Sequence, residues 1–141
     1  MSERAMISAE NESWDERTYA ELPGGGKLTK ATVAQKLTGE LDGRSVTEFV
    51  MCYRPDGTAS YLGQSHIEGT LSGRTGGFVL HGSGVFEGGA ARWTSTVVPG
   101  SGTGELRGLG GTTVADASAG PAATMVFDYD FTDPADSPDL D

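Results

Sequence analysis

The sequence predicts an all-β fold, either a sandwich or a closed barrel of eight to nine short strands. Three observations indicate this. Apolar and polar residues alternate with a period of two in several segments, and turn signals separate these segments. The chain contains 22 glycines in 141 residues, without the period of collagen, and it has no long stretch with helical periodicity. Its length suits one domain with one core.

The predicted strands follow one another with short connections. They span residues 6–14, 27–37, 46–53, 59–68, 78–86, 90–98, 105–107, 111–115 and 125–131. In the segment Arg54-Pro55-Asp56-Gly57, proline holds the second and glycine the fourth position of a type I turn, which predicts a hairpin. Asp42-Gly43 and residues 72–77 are further predicted turns.

Alternation also sorts the side chains of each strand into two faces. Phe49, Met51 and Tyr53 share one face of the most apolar strand, while Glu48 lies on the other. On the preceding strand one face carries Thr29, Ala31, Val33, Gln35 and Leu37. A register error of one residue would invert every such assignment.

A glycine run follows the predicted strand over residues 90–98, whose alternating part begins at Trp93. Gly100, Gly102 and Gly104 occur at every second residue, so another strand, a barrel corner or a ligand is expected close to this backbone. A phosphate-binding loop would need a lysine and a following helix, but Glu105 comes next. We therefore expect no nucleotide, and since no other motif in the sequence predicts a cofactor, we expect none.

The formal net charge of −10 argues against nucleic acids and anionic membranes as partners. Cys52 is the only cysteine, so an internal disulfide is excluded. No signal peptide or membrane helix is recognisable, and a cytoplasmic location is the expectation. We expect a single domain over residues 1–131, followed by a disordered, acidic, proline-containing tail over residues 132–141.

Several short motifs resemble a bacterial family of uncharacterised small domains in the allene oxide cyclase-like barrel superfamily. The matching segments lie between residues 6 and 131 and include Trp14-Asp-Glu, Gly39-Glu-Leu-Asp-Gly43, Arg54-Pro-Asp-Gly-Thr-Ala-Ser60, Gly69-Thr-Leu-Ser-Gly-Arg74, Gly77-Phe-Val-Leu80 and Val97-Val-Pro-Gly-Ser-Gly-Thr-Gly-Glu-Leu106. The resemblance implies a lipocalin-like antiparallel barrel of about eight strands with an open mouth. Named relatives are cyclases that work without cofactors and fold an apolar substrate inside the barrel.

Two residues are candidates for catalysis. Glu48 would be a desolvated general acid or base if it faced the lumen, and an ordinary surface carboxylate if it faced outward. His81 could titrate near neutral pH or orient a substrate, or it could be a polar residue on a strand surface. Neither His81 nor His66 has metal-ligand spacing to other donors, so we expect no metal site.

Strand aromatics are the candidates for ligand binding, and they could equally fill the barrel core. They are Tyr53, Tyr61, Phe78 and Trp93. Glu105 is expected to close one barrel end through an ion pair with Arg74 or Arg92.

Three functions fit the sequence. The first is a cofactor-independent cyclase or isomerase of a small apolar metabolite held in the lumen. The second is a barrel that binds such a molecule without catalysis, and the third is a structural barrel with a filled lumen. Because one strand carries apolar residues on both faces, we also expect a homo-oligomer, namely a dimer.

Overall fold

The computed structural model describes residues 2–117 and 122–132, which form eight antiparallel strands and one short 3-10 helix. Residues 118–121 and most of the predicted acidic tail lie outside this description. The strands are β1 (Glu3–Glu21), β2 (Lys27–Gly39), β3 (Leu41–Tyr53), β4 (Ala59–Leu71), β5 (Arg74–Glu87), β6 (Ala90–Val97), β7 (Leu109–Ala117) and β8 (Ala122–Phe131), and the 3-10 helix is Gly104–Leu106.

Each strand pairs with the next one along the chain, and β8 returns to β1, so that the sheet closes into a barrel. The closing pair runs from Glu3 opposite Tyr129 to Glu10 opposite Ala122. The all-β prediction with about eight antiparallel strands is confirmed. Closure satisfies the backbone groups that an open sheet would leave at its edges.

Two-residue turns join several strands. Ser72 and Gly73 both have positive φ, as do Gly88 and Gly89, which suits the twist of tight antiparallel hairpins. The predicted hairpin at Arg54 is confirmed, because the amide of Gly57 donates to the carbonyl of Arg54 at 3.0 Å. The turn predicted over residues 72–77 is shorter than expected, because only Ser72 and Gly73 lie between β4 and β5.

Several predicted boundaries are wrong. β3 begins at Leu41 and not at residue 46, β5 begins at Arg74 and not at residue 78, and β8 begins at Ala122 and not at residue 125. β1 continues past Trp14 to Glu21, and the Asp42-Gly43 turn lies inside β3, since the chain reverses at Gly39 instead. Residues 105–107 do not form a strand, because Gly104–Leu106 is a 3-10 helix. In each case the local sequence favours another turn or strand, but pairing with long neighbouring strands determines the structure.

The glycine run forms a corner of the barrel. β6 pairs with β5 only from Leu80 onward, and the chain after β6 covers the earlier part of β5. The amide of Thr103 donates to the carbonyl of Gly77 at 2.8 Å. A Cβ added to Gly102 would lie 2.0 Å from the carbonyl oxygen of Leu106. The expected close approach to the backbone is therefore present, and another part of the chain makes it.

Large side chains fill the half of the barrel that the 3-10 helix closes. Phe78 and Phe127 stack there with ring centroids 5.8 Å apart, and the hydroxyls of Tyr129 and Ser72 lie 2.8 Å apart. Leucines complete this closed half, and each is at most 3% exposed: Leu41, Leu71, Leu106 and Leu109. The other half of the lumen has a different composition.

Candidate functional site

The half of the barrel opposite the 3-10 helix contains a cavity of about 470 Å³. We call its opening the mouth, which lies at the β3–β4 and β5–β6 turns. Small residues line much of the wall, and they leave the space that aromatic residues occupy in the closed half. The small lining residues are Ala9, Ala59, Ala91, Ala115, Ala117, Ala122 and Ala123.

Six of the described residues that line the cavity are aromatic, and four of them contact one another near its mouth. We call these four the aromatic cluster: Trp14, Phe49, Tyr61 and Trp93. Tyr61 and Trp93 stack with centroids 5.9 Å apart, and Phe49 contacts Trp93 edge-on at 5.3 Å. Trp14 stacks on Phe49 at 6.2 Å and remains 49% exposed. The cluster therefore reaches from the lumen to solvent.

Strand glycines make room for two of these rings. A Cβ on Gly63 would lie 2.7 Å from the ring of Phe49, and a Cβ on Gly84 would lie 2.4 Å from the ring of Tyr61. Both distances are shorter than side chains tolerate, so the rings lie against strand positions that must remain without a side chain.

Three of the four predicted ligand-binding aromatics line the cavity, namely Tyr53, Tyr61 and Trp93. Phe78 instead packs in the closed half against Phe127, where it is 1% exposed. For Phe78 the geometry therefore favours the core-filling alternative. A ligand-binding role for the other three remains a prediction.

Neither catalytic candidate reaches the cavity. Glu48 is exposed on the outer face of β3 and accepts a hydrogen bond from the hydroxyl of Thr32. His81 is exposed on the outer face of β5. The proposed role of Glu48 required it to face the lumen, and alternation places Phe49 there instead.

The ion pair predicted for Glu105 is also absent from the described residues. Its carboxylate accepts a hydrogen bond from the backbone amide of Thr75 at 3.0 Å. Arg92 lies 3.7 Å from Asp116, and the guanidinium of Arg74 lies over the ring of Phe131 at 4.1 Å. Glu105 thus links the 3-10 helix to β5 by a hydrogen bond to a backbone amide.

Sequence reasoning missed Glu16, which joins three elements at the mouth. Its carboxylate accepts hydrogen bonds from the hydroxyl of Thr29 at 2.6 Å, the hydroxyl of Tyr53 at 2.8 Å and the indole of Trp14 at 2.9 Å. Partial burial alone would raise the pKa of Glu16, but these hydrogen bonds and Lys27 together lower it. Glu16 is therefore ionised at neutral pH.

The contact with Glu16 also shifts the pKa of Tyr53. Burial, the hydrogen bond to Glu16 and the negative charge of Glu16 raise the pKa of Tyr53 to about 12. The phenol consequently stays protonated and keeps donating to the carboxylate. Lys27 lies over the Tyr53 ring, with its amine 5.1 Å from the centroid.

A bulge in β1 brings Trp14 and Glu16 to the inner face. Asn11 pairs with Gln35 and Ser13 with Ala34, so the residue between them is extra. Trp14 consequently lies opposite Val33 and Glu16 opposite Ala31, both of which are inward positions of β2. The sequence gives no clear signal for this extra residue.

Polar, uncharged side chains form one side of the cavity wall, on β1 to β4. We call them the polar stripe: Asn11, Gln35, Ser45, Thr47 and Ser65. The amide of Gln35 donates to Asn11 at 2.8 Å and accepts from Ser45 at 3.3 Å. The hydroxyls of Thr47 and Ser65 lie 2.6 Å apart. Among the described residues that line the cavity, none is charged.

The sequence over residues 7–129 matches the DUF3224 family, which is described as a protein of unknown function. This match covers most of the chain. The chain belongs to the DUF3224 family. A crystal structure of a DUF3224 protein of unknown function from Shewanella oneidensis MR-1 is similar to it, with a TM-score of 0.74 and 29% sequence identity. The similarity covers 93% of this chain and 100% of the other.

No curated protein matches this DUF3224 chain. Among residues 2–117 and 122–132, no helix is long and apolar enough to cross a membrane. The same residues contain no group of three or more histidine, cysteine, aspartate or glutamate side chains arranged to hold a metal ion.

Proposed function

We propose that this DUF3224 barrel binds a small apolar molecule in its lumen without transforming it. The observation that carries the proposal is the cavity of about 470 Å³ in the mouth half of the barrel. Cavities that hold small ligands measure about 300–1,000 Å³ and are mostly apolar, with a few polar groups. A lumen filled along its whole length would have no such space.

The chemistry of the lining favours binding over catalysis. The candidates Glu48 and His81 point away from the cavity, and the described lining residues include no carboxylate or imidazole. General acid–base catalysis needs a titratable group within hydrogen-bond reach of the substrate, and among the described lining residues only the phenols of Tyr53 and Tyr61 titrate, with pKa values that burial raises. Apolar walls and aromatic rings, by contrast, suffice to bind an apolar molecule.

Binding can be measured through the protein's own fluorescence, because both of its tryptophans, Trp14 and Trp93, line the cavity. We expect 1-methylpyrene, an uncharged apolar probe, to quench this fluorescence by energy transfer. Ala123→Phe fills the lumen and should weaken binding at least tenfold, or about 1.4 kcal/mol. Thr124→Phe adds the same side chain to the outer face of β8 and should leave binding unchanged.

Native mass spectrometry of protein purified from its own host, with identification of anything retained, complements the titration. A retained apolar molecule would support the proposal and would identify a compound to test. If no molecule is retained and 1-methylpyrene does not bind, or binds both variants equally, the proposal is wrong.

One observation favours the second candidate, a cofactor-independent cyclase or isomerase of the kind that the allene oxide cyclase-like resemblance implies. The hydroxyl of Tyr53 lies at the cavity wall and donates to the ionised Glu16. Because its hydrogen is donated to Glu16, this phenol could accept a hydrogen bond from a substrate hydroxyl and so orient it, although this transfer of function is an analogy at the level of the fold.

The two candidate functions predict different fates for a bound compound. If the protein is a cyclase or isomerase, an apolar compound retained from the host should be converted into an isomer of unchanged mass. Tyr53→Phe should then abolish turnover while the compound still binds. Recovery of the compound unchanged after incubation with the wild-type protein would favour the binding function.

A further inference from the structure

We infer that the ligand of the lumen is an uncharged molecule with an apolar body and a hydrogen-bonding group that contacts the polar stripe. This inference rests on the proposed function and specifies the class of ligand.

The wall has two chemically different sides. The polar stripe lies on β1 to β4, while the wall from β5 to β8 is largely apolar and includes Leu80, Ala91, Ala115, Ala123 and Met125. A ligand that fills the cavity therefore contacts hydroxyl and amide groups along one edge only. Its remaining surface contacts alkyl groups and the rings of the aromatic cluster.

The polar stripe cannot neutralise a charge. Gln35 already bonds to Asn11 and Ser45, and Thr47 and Ser65 bond to each other. Buried side-chain polar atoms without a partner are absent from the described residues. The stripe can therefore offer its remaining hydrogens and lone pairs to a neutral group, whereas a buried charge needs an opposite charge beside it.

A charged ligand of either sign is disfavoured. The carboxylate of Glu16 lies 2.8 Å from the Tyr53 hydroxyl, and the chain carries a net charge of −10, so anions are repelled. These negative charges attract cations toward the mouth, but none of the described lining residues is charged, so a cation inside the lumen would lose its hydration without gaining an opposite charge. An uncharged ligand avoids both costs.

Probes that share one ring system test the charge. We would titrate the protein with 1-pyrenemethanol, 1-pyreneacetic acid and 1-pyrenemethylamine, which at neutral pH are neutral, anionic and cationic. We expect the neutral alcohol to bind at least about tenfold more tightly than either charged probe. If a charged probe binds as tightly as the alcohol, this inference is overturned while the proposed function stands.

A variant of the polar stripe tests the position of the hydrogen-bonding group. Gln35→Leu should weaken binding of 1-pyrenemethanol several-fold but leave 1-methylpyrene, which lacks the hydroxyl, unchanged or slightly favoured. Gln64→Leu makes the same substitution on the outer face of β4 and should affect neither probe. Ser45→Ala serves as a second, smaller change if Gln35→Leu prevents folding.

The two proposals fail in different ways. If none of the pyrenes binds, the proposed binding function is wrong. If the pyrenes bind and Ala123→Phe weakens their binding, the lumen is a binding site. If Gln35→Leu and Ser45→Ala then weaken the binding of 1-pyrenemethanol and of 1-methylpyrene equally, the polar stripe does not contact the ligand.

Discussion

Glu16 shows how one carboxylate can organise the mouth of the barrel. Trp14, Thr29 and Tyr53 all donate to it, and they belong to three neighbouring strands. The carboxylate is only partly buried, so solvent screens its charge and each hydrogen bond contributes modestly. Its larger effect is geometric, because it fixes the indole of Trp14 beside the ring of Phe49.

Glu16→Gln should make the stability of the barrel less dependent on pH in the acidic range. The folded state lowers the pKa of Glu16 below its ordinary value of 4.5. Its stabilising contribution is therefore complete above pH 4.5 and is lost as the pH falls through the lower, folded-state pKa. We expect the variant to be less stable by about 1 kcal/mol at neutral pH, and the difference to shrink in acid.

Thermal unfolding of both proteins across this pH range measures the effect. The same variant should lower the pKa of Tyr53 from about 12 toward 10, which ultraviolet titration of the tyrosines can follow. An unchanged difference in stability at all pH values would show that the charge of Glu16 has no role.

Gly84→Ala should destabilise the barrel, because the added methyl group would lie 2.4 Å from the Tyr61 ring and 2.5 Å from the carbonyl oxygen of Arg92. Overpacking of this kind costs about 1–3 kcal/mol. Gly110→Ala is the matched control, since its methyl group would meet only a side-chain oxygen of Asp130 at 3.4 Å. Urea unfolding should separate the two variants, and equal stabilities would contradict this account of the Tyr61 ring.

At the scale of the strand, sequence periodicity predicts β3 well and β1 poorly. In β3 regular alternation places Phe49, Met51 and Tyr53 inside and Glu48 outside once the barrel is known. In β1 the bulge changes the alternation midway, so a period-two pattern that begins at Ala5 puts Glu16 on the wrong face. Only pairing with β2, which is a long-range property, reveals the extra residue.

Periodicity also leaves the positions of the aromatic residues along the lumen undetermined. Alternation identifies Phe78 and Tyr61 equally as inward residues, but it does not give their depth along the barrel axis. Phe78 lies in the closed half and Tyr61 beside the cavity, because strand tilt and register fix the depth of each residue. The sequence therefore identifies the aromatic candidates, but it does not show which of them line the cavity and which fill the core.

The 3-10 helix between β6 and β7 closes one end of the barrel through Leu106, which is fully buried. Leu106→Ala should lower the free energy of unfolding by about 2–5 kcal/mol, because it removes a buried side chain and leaves a cavity. Leu62→Ala makes the same change on the outer face of β4, where the side chain is 60% exposed, and should lower the free energy of unfolding far less. Chemical denaturation measures the stability of both variants, and similar losses of stability would mean that Leu106 does not close the barrel.

At the scale of the whole molecule, the closed barrel has two apolar surfaces, the lumen and part of the outside. Val50 and Leu62 lie directly opposite each other in the β3–β4 register and are 43% and 60% exposed. Val85 on β5 lies opposite Ser60, two residues along β4 from Leu62, and is a further exposed apolar residue at 41%. Outward side chains of this kind on adjacent strands favour association with a second copy.

We therefore predict a homodimer that covers the outer faces of β3 to β5. Light scattering at micromolar concentration should give twice the mass of one chain. Leu62→Glu should yield monomers, because it places a carboxylate in the shared apolar contact of two chains that each already carry a charge of −10. Thr124→Glu adds the same charge to β8, far from this patch in strand order, and should leave the dimer intact. A monomeric wild-type protein, or dimers of Leu62→Glu, would contradict the prediction, and ligand binding in the lumen would then be a property of a single barrel.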